Sequence, residues 1–232
     1  MNNEHTNFVT CIKYSPDDSY FVSVAFDKRI ILYNGKDGSI LYNLTENIEN
    51  NHKMAIIGVC WLDNNTIATC SLDRTVKVWD ITEKACKYTL YPNKCVEIPD
   101  SGCGINTNGS YIISLSLNGN LNFWDISSLS DGKLPDRVID GHQNYITSIV
   151  HLEKMQWIIS SDNNGKIIIW NSERNEYIKT LYTFESKVIT LSLSADKNIL
   201  YVLCIDGSVS GIDLTESNIG SLMYVLYLFF LF

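Results

Sequence analysis

The stretch "SLDRTVKVWD", residues 71–80, holds a Ser, an Asp, a basic residue, alternating valines and a Trp-Asp pair. Val76 and Val78 alternate with Thr75, Lys77 and Trp79. This period of two predicts a strand entered through the polar turn Leu72-Asp73-Arg74-Thr75. Ser beside Asp raises the question of a catalytic pair. A repeat would answer it, because one active site is not copied along a chain.

The stretch does recur, as "AFDKRIILYN" (25–34), "SLNGNLNFWD" (116–125), "DNNGKIIIWN" (162–171) and "CIDGSVSGID" (204–213). The last residues of the five copies, Asn34, Asp80, Asp125, Asn171 and Asp213, stand 46, 45, 46 and 42 residues apart. That is the period of a four-stranded propeller blade. Each turn carries Asp27, Asp73, Asn118, Asn164 or Asp206, and Gly119, Gly165 and Gly207 follow the last three, where positive φ is expected. Two more strand-like runs precede each copy, as in "FVTCIKYSPDDSYFVSVAFD" (8–27). An outer run follows the first four, as in "KACKYTL" (84–90).

The fold class expected is therefore all-β, about five four-stranded blades over 1–216. Their bounds are about 5–45, 52–91, 95–140, 142–182 and 186–214, with 217–232 as an apolar tail. The last eleven residues are uncharged, about half the length that spans a bilayer as a helix. The tail is expected to add a strand or to pack locally.

Composition narrows the function. A net charge of −8 with no basic run argues against nucleic acid as a partner. Seven cysteines without a CxxC pair read as reduced core thiols of a cytoplasmic protein. The first residues, "MNNEHTNFVTCIKYSPDD", have neither the basic start nor the apolar run of a secretory signal, and no membrane or small-molecule partner is expected. Of the four histidines, His5, His52, His142 and His151, none belongs to a set with metal-ligand spacing. "GKDGS" (35–39) lacks the spacing of a phosphate loop and lies between strands. No cofactor, no metal and no catalytic residue is expected.

These units resemble WD repeats. In blade two, His52, Ser71, Asp73 and Trp79 match the positions of that family's structural hydrogen-bond network, which implies scaffolding rather than a hydrolase triad. Blade one keeps His5 and Asp27 but has Ala25 and Tyr33, and blade four keeps His142 and Trp170 but has Asp162 and Asn164. Blades three and five lack the loop His, so those four blades are expected to hold weaker networks.

Among WD-repeat proteins, four features resemble the actin-interacting protein 1 family: the stretch from His5 to Leu44 with "IILYNGKDG" (30–38), "NHKMAIIGVCW" (51–61), "CGINTNGSYIISLSLNGNLNFWD" (103–125) and the blade from "GHQNYITSI" (141–149) to "DNNGKIIIWN". The resemblance implies a non-enzymatic, cytoskeleton-associated scaffold that binds actin filaments and cofilin and promotes filament disassembly. It further implies two linked seven-bladed propellers, of which this chain would be a partial copy covering about five blades of the first, an incomplete ring. The alternative is a generic WD-repeat adaptor for complex assembly.

In such a scaffold the partner meets the loops at one end of the blades. The residues that open the inner strands or precede the turn Asp or Asn are Phe8, Phe26, Leu72, Leu117, Tyr145, Asn163, Lys187 and Ile205, and these are the expected protein-binding positions.

Overall fold

The computed structural model describes residues 5–46, 49–92, 104–115, 119–174 and 176–227. Twenty strands appear among them, in five four-stranded sheets. Blade one holds β1 (Val9–Tyr14), β2 (Tyr20–Ala25), β3 (Ile30–Asn34) and β4 (Ile40–Asn43). Blade two holds β5 (Ile56–Trp61), β6 (Thr66–Ser71), β7 (Val76–Asp80) and β8 (Ala85–Leu90). Blade three is built from β9 (Ile105–Thr107), β10 (Tyr111–Leu115), β11 (Asn120–Asp125) and β12 (Arg137–Asp140). Blade four is β13 (Ile146–Leu152), β14 (Trp157–Asp162), β15 (Lys166–Asn171) and β16 (Glu176–Thr183). Blade five is β17 (Val188–Leu193), β18 (Ile199–Cys204), β19 (Ser208–Asp213) and β20 (Leu222–Tyr227).

Every sheet is ordered as its strands follow in the chain, so each blade is a meander closed by local turns. Blades one and two fall in one compact unit and blades four and five in another, with the residues of blade three divided between the two. This is the WD-repeat β-propeller fold that the repeat period predicts.

Middle strands carry the core. In β7, Val76 and Val78 join a cluster with Ile105, Ile112 and Trp124 of blade three, while Trp79 joins Val22, Val24 and Leu32 of blade one. One strand thus supplies both of its faces to burial, as its alternation requires. In the other unit, Ile167 and Ile169 pack with Val188, Leu200 and Val202. Trp79, Trp124 and Trp170 are fully buried at equivalent places, each worth several kcal/mol of transfer free energy, about 2–3 by area.

The inner strands share a further device. Their register slips at the start, between Val9 and Cys11, Ile56 and Gly58, Ile146 and Ser148, and Val188 and Thr190. A bulge of this kind bends the strand and re-aims what precedes it. What precedes it here is the loop that carries Phe8, Ala55, Tyr145 or Lys187.

The fourth strand of blade five comes from the stretch set apart as a tail. β20 pairs with β19 from Ser208 opposite Tyr227 to Ile212 opposite Leu222, so the blade runs well past residue 214. Gly211 explains the fit: a Cβ there would lie 2.6 Å from the Tyr224 ring, which occupies that space. Residues 228–232 lie outside the described residues. No helix among the described residues is long and apolar enough to cross a membrane.

Candidate protein-binding loops and the relays beneath them

Beneath the loops of blade two, His52 is held at both ring nitrogens. Nδ1 lies 2.9 Å from the Asp73 carboxylate and Nε2 2.8 Å from Thr69 Oγ1, which also accepts from Trp79 Nε1 at 2.9 Å. The hydroxyl that joins His to Trp is thus Thr69 and not Ser71. Ser71 Oγ instead bonds the Met54 and Ala55 carbonyls and accepts from the Asp73 N–H. Both residues lie on β6 and, two apart, share a face. The deeper of the two meets the Trp.

Blade four repeats the relay. His142 meets the Asp162 carboxylate at 2.8 Å and Ser160 Oγ at 2.7 Å, and Trp170 Nε1 donates to Ser160 at 2.8 Å. The expected weakness of this blade is corrected: Asp162, at the end of β14, does the work expected of residue 164. Blade one is corrected likewise. His5 meets Asp27 at 3.0 Å and Ser23 Oγ at 2.6 Å, and Ser23 bonds the Tyr33 hydroxyl at 3.2 Å. Ala25 therefore leaves no gap, because Ser23 is the relay hydroxyl. In blade three Ser114 and Trp124 hold the same places and are buried, yet Trp124 Nε1 has no partner among the described residues.

One protonation state satisfies every atom of the blade-two relay. Trp79 N–H donates to Thr69, Thr69 O–H donates to His52 Nε2, and His52 Nδ1–H donates to Asp73. Burial holds His52 below the usual imidazole range in spite of the neighbouring Asp73 carboxylate. For Asp73 burial works against the charge, but bonds from His52, Thr75 and the Lys53 N–H outweigh it and hold the carboxyl well below its usual range. Asp27 and Asp162 are lowered in the same way, against burial, by backbone N–H groups and their histidines. In blade two a neutral His52, between the Asp73 carboxylate and a Thr69 hydroxyl that is fully buried, fixes the loop to the turn.

These loops, and the loop of blade five, which has no relay, carry the expected binding residues. Each pair is joined through its backbone: Phe26 N to Phe8 O at 2.9 Å, Leu72 N to Ala55 O at 3.0 Å, Asn163 N to Tyr145 O at 3.1 Å and Ile205 N to Lys187 O at 2.9 Å. In the first unit Phe8 is 80% exposed and Phe26 42%, with Leu72 half-buried. In the second, Ile205 is 63% exposed. Tyr145 donates there to Asn163 Oδ1 at 2.7 Å and accepts from Lys187 Nζ at 3.0 Å. Leu117 lies outside the described residues, as do Asn118, Cys95 and Cys103.

Among the described residues no group of His, Cys, Asp and Glu could hold a metal ion. The five described cysteines are free thiols, and burial pushes Cys60 up to about 12. Sequence reasoning missed Ser23, Thr69, Ser160 and Asp162, and with them Met54, an exposed residue at the loop of blade two.

The WD domain, G-beta repeat family matches residues 2–34, 44–80 and 133–171. WD repeat-containing protein 1 of Xenopus tropicalis is 29% identical over 225 residues, 94% of this chain and 35% of that protein. Its Gallus gallus namesake is 31% identical over 75% of this chain and 28% of its own length. Actin-interacting protein 1 of Drosophila melanogaster is 26% identical over 73% of this chain and 27% of its own. The chain thus spans 35% of the length of the first of these relatives and 28% and 27% of the other two. Its five blades and the matched repeats make it a WD-repeat β-propeller, similar over most of its length to proteins named WD repeat-containing protein 1 and actin-interacting protein 1.

Proposed function

We propose that this chain is a non-enzymatic, cytoplasmic scaffold that binds actin filaments and acts with cofilin in their disassembly. The observation that carries the reading is similarity over 94% of the chain to a WD repeat-containing protein 1, in a set that also holds proteins of Drosophila melanogaster and Arabidopsis thaliana named for interaction with actin. Its geometry suits the role. Buried relays lock the loops of blades one, two and four, and backbone bonds join each loop to its turn, in blade five from Ile205 to Lys187, so Phe8, Phe26, Leu72, Tyr145, Asn163, Lys187 and Ile205 are held in place before a partner arrives, which lowers the entropy lost on binding. The relays that have the composition of a hydrolase triad spend their polar atoms on one another and on the N–H groups of the loop and turn they join.

Co-sedimentation with actin filaments tests the reading. The chain is expected in the pellet with actin, and more of it when the filaments carry cofilin. Equal pelleting with and without cofilin would remove the cooperation. A chain left in the supernatant in both cases would point to the generic adaptor instead.

A further inference from the structure

The loop end of blades one and two combines exposed apolar side chains with unneutralised cations. Phe8, Val9, Phe26 and Met54 are all exposed there. Beside them stand Lys28 and Arg74, at matching places in the two turns, and Lys53, all three exposed. The acids of the same turns are withdrawn, since Asp27 and Asp73 point inward to His5 and His52 and are nearly fully buried. Lys53 offers its N–H to Asp73 and its ammonium to the Glu49 carbonyl at 3.4 Å. No carboxylate among the described residues pairs with Lys28, Lys53 or Arg74 at ion-pair distance. A chain of net charge −8 thus turns three cations and an aromatic pair outward at this end, beside Glu46 and Glu49, which are exposed in the loop before Lys53. Blades four and five have Gly165 and Gly207 where these turns have Lys28 and Arg74.

From this surface we infer that blades one and two dock an acidic protein segment bearing apolar side chains. The aromatic pair supplies the anchor, because Phe8 and Phe26 are fixed to each other through the backbone and bury apolar area without first being ordered. The cations supply sign: they favour Glu and Asp flanking the anchor and speed encounter with a negative partner. The inference stands apart from the actin reading and is tested without actin.

The turn geometry provides a clean variant. Lys28 and Arg74 both have φ of 69°, a left-handed conformation that glycine adopts without strain. Lys28→Gly with Arg74→Gly therefore removes two charges while leaving the fold as stable or more so. The probe is a fluorescein-labelled peptide of alternating glutamate and leucine, compared by anisotropy with its glutamine counterpart. The wild-type chain is expected to bind the glutamate peptide roughly tenfold more tightly, and to lose about tenfold between low and moderate salt. The double variant should lose the preference with its unfolding midpoint unchanged or raised. Phe8→Ser, at a position too exposed to carry the core, should weaken both peptides. Equal affinity of the wild-type chain for the two peptides would overturn the inference, and so would a double variant that binds like the wild type. Capture by phosphatidylserine vesicles without binding of the peptide would assign the face to a lipid surface and overturn it too.

Discussion

Thr69 Oγ1 serves two buried nitrogens at once, His52 Nε2 and Trp79 Nε1. Thr69→Val keeps the shape and strands both, at a cost of about 1–3 kcal/mol, whereas Thr69→Ser should cost under about 1. Ser71→Ala removes bonds to two carbonyls, of which Ala55 O keeps the Leu72 N–H, and the acceptor of the Asp73 N–H in a half-buried turn, and should cost less than Thr69→Val, which strands two buried nitrogens. Urea denaturation checks the order, and equal losses for Thr69→Val and Ser71→Ala would contradict it. Acid tests the same relay. The folded pKa of His52 lies below its unfolded value of about 6.5, so its contribution is whole above that pH and is lost as pH falls below it, when the unfolded chain takes the proton first. Asp73, also lowered on folding, keeps its contribution above about pH 4 and loses it on further acidification. Between about pH 7 and 5 the wild-type chain should therefore lose more stability than His52→Gln, and parallel losses would contradict the assignment. The relay was half-legible in the sequence. A hydroxyl stands ten residues before the aromatic in four blades, Ser23, Thr69, Ser114 and Ser160. The place eight residues before it, Ala25, Ser71 or Asp162, drew the reading because it adjoins the turn. Two positions on one face of a strand differ only in depth, and depth is set by the packed blade.

Blades differ in how completely their polar atoms are met. Trp124 Nε1 is buried without a partner among the described residues, whereas Trp79 and Trp170 donate to a hydroxyl. Trp→Phe should consequently cost less at 124 than at 79 or 170, by about 1 kcal/mol, the value of one bond. A thermal series of the three variants reads the difference, and an equal or larger loss at 124 would contradict it. Strand order and blade number were readable because alternation and turn residues repeat with a fixed period. β20 was readable only in part: the tail was expected to add a strand or to pack locally, but Leu222–Tyr227 is apolar on both faces and offers no alternation to decide between them. Its place follows from a neighbour, Gly211, whose missing side chain admits the Tyr224 ring. Cutting the chain after residue 216 should therefore bare the β19 edge and speed amide exchange in blade five, with lower solubility. Unchanged exchange across Ser208–Asp213 would show that β20 adds nothing to the blade.

At the scale of the molecule, five copies of one meander make a scaffold whose identity lies in what differs between copies. The shared residues are buried and hold the fold; the unshared ones, Phe8, Phe26, Tyr145, Lys187 and Ile205, lie on the loops. This separation is why the fold was legible and the partner was not. Period and alternation are physical requirements of every blade, but a docking surface is assembled from residues far apart in sequence. Tyr145 and Lys187, 42 positions apart, meet through a single hydrogen bond that no local pattern announces. In the proposed function, rigid loops, and not the relays beneath them, make the contact with actin. Pelleting of folded Ile205→Ser and Phe8→Ser chains with cofilin-bearing actin filaments, beside the wild type, tests it most directly. The variants are expected to keep the wild-type unfolding midpoint while the fraction pelleted falls at least about fivefold, a change of about 1 kcal/mol in binding. Wild-type pelleting by both folded variants would contradict it.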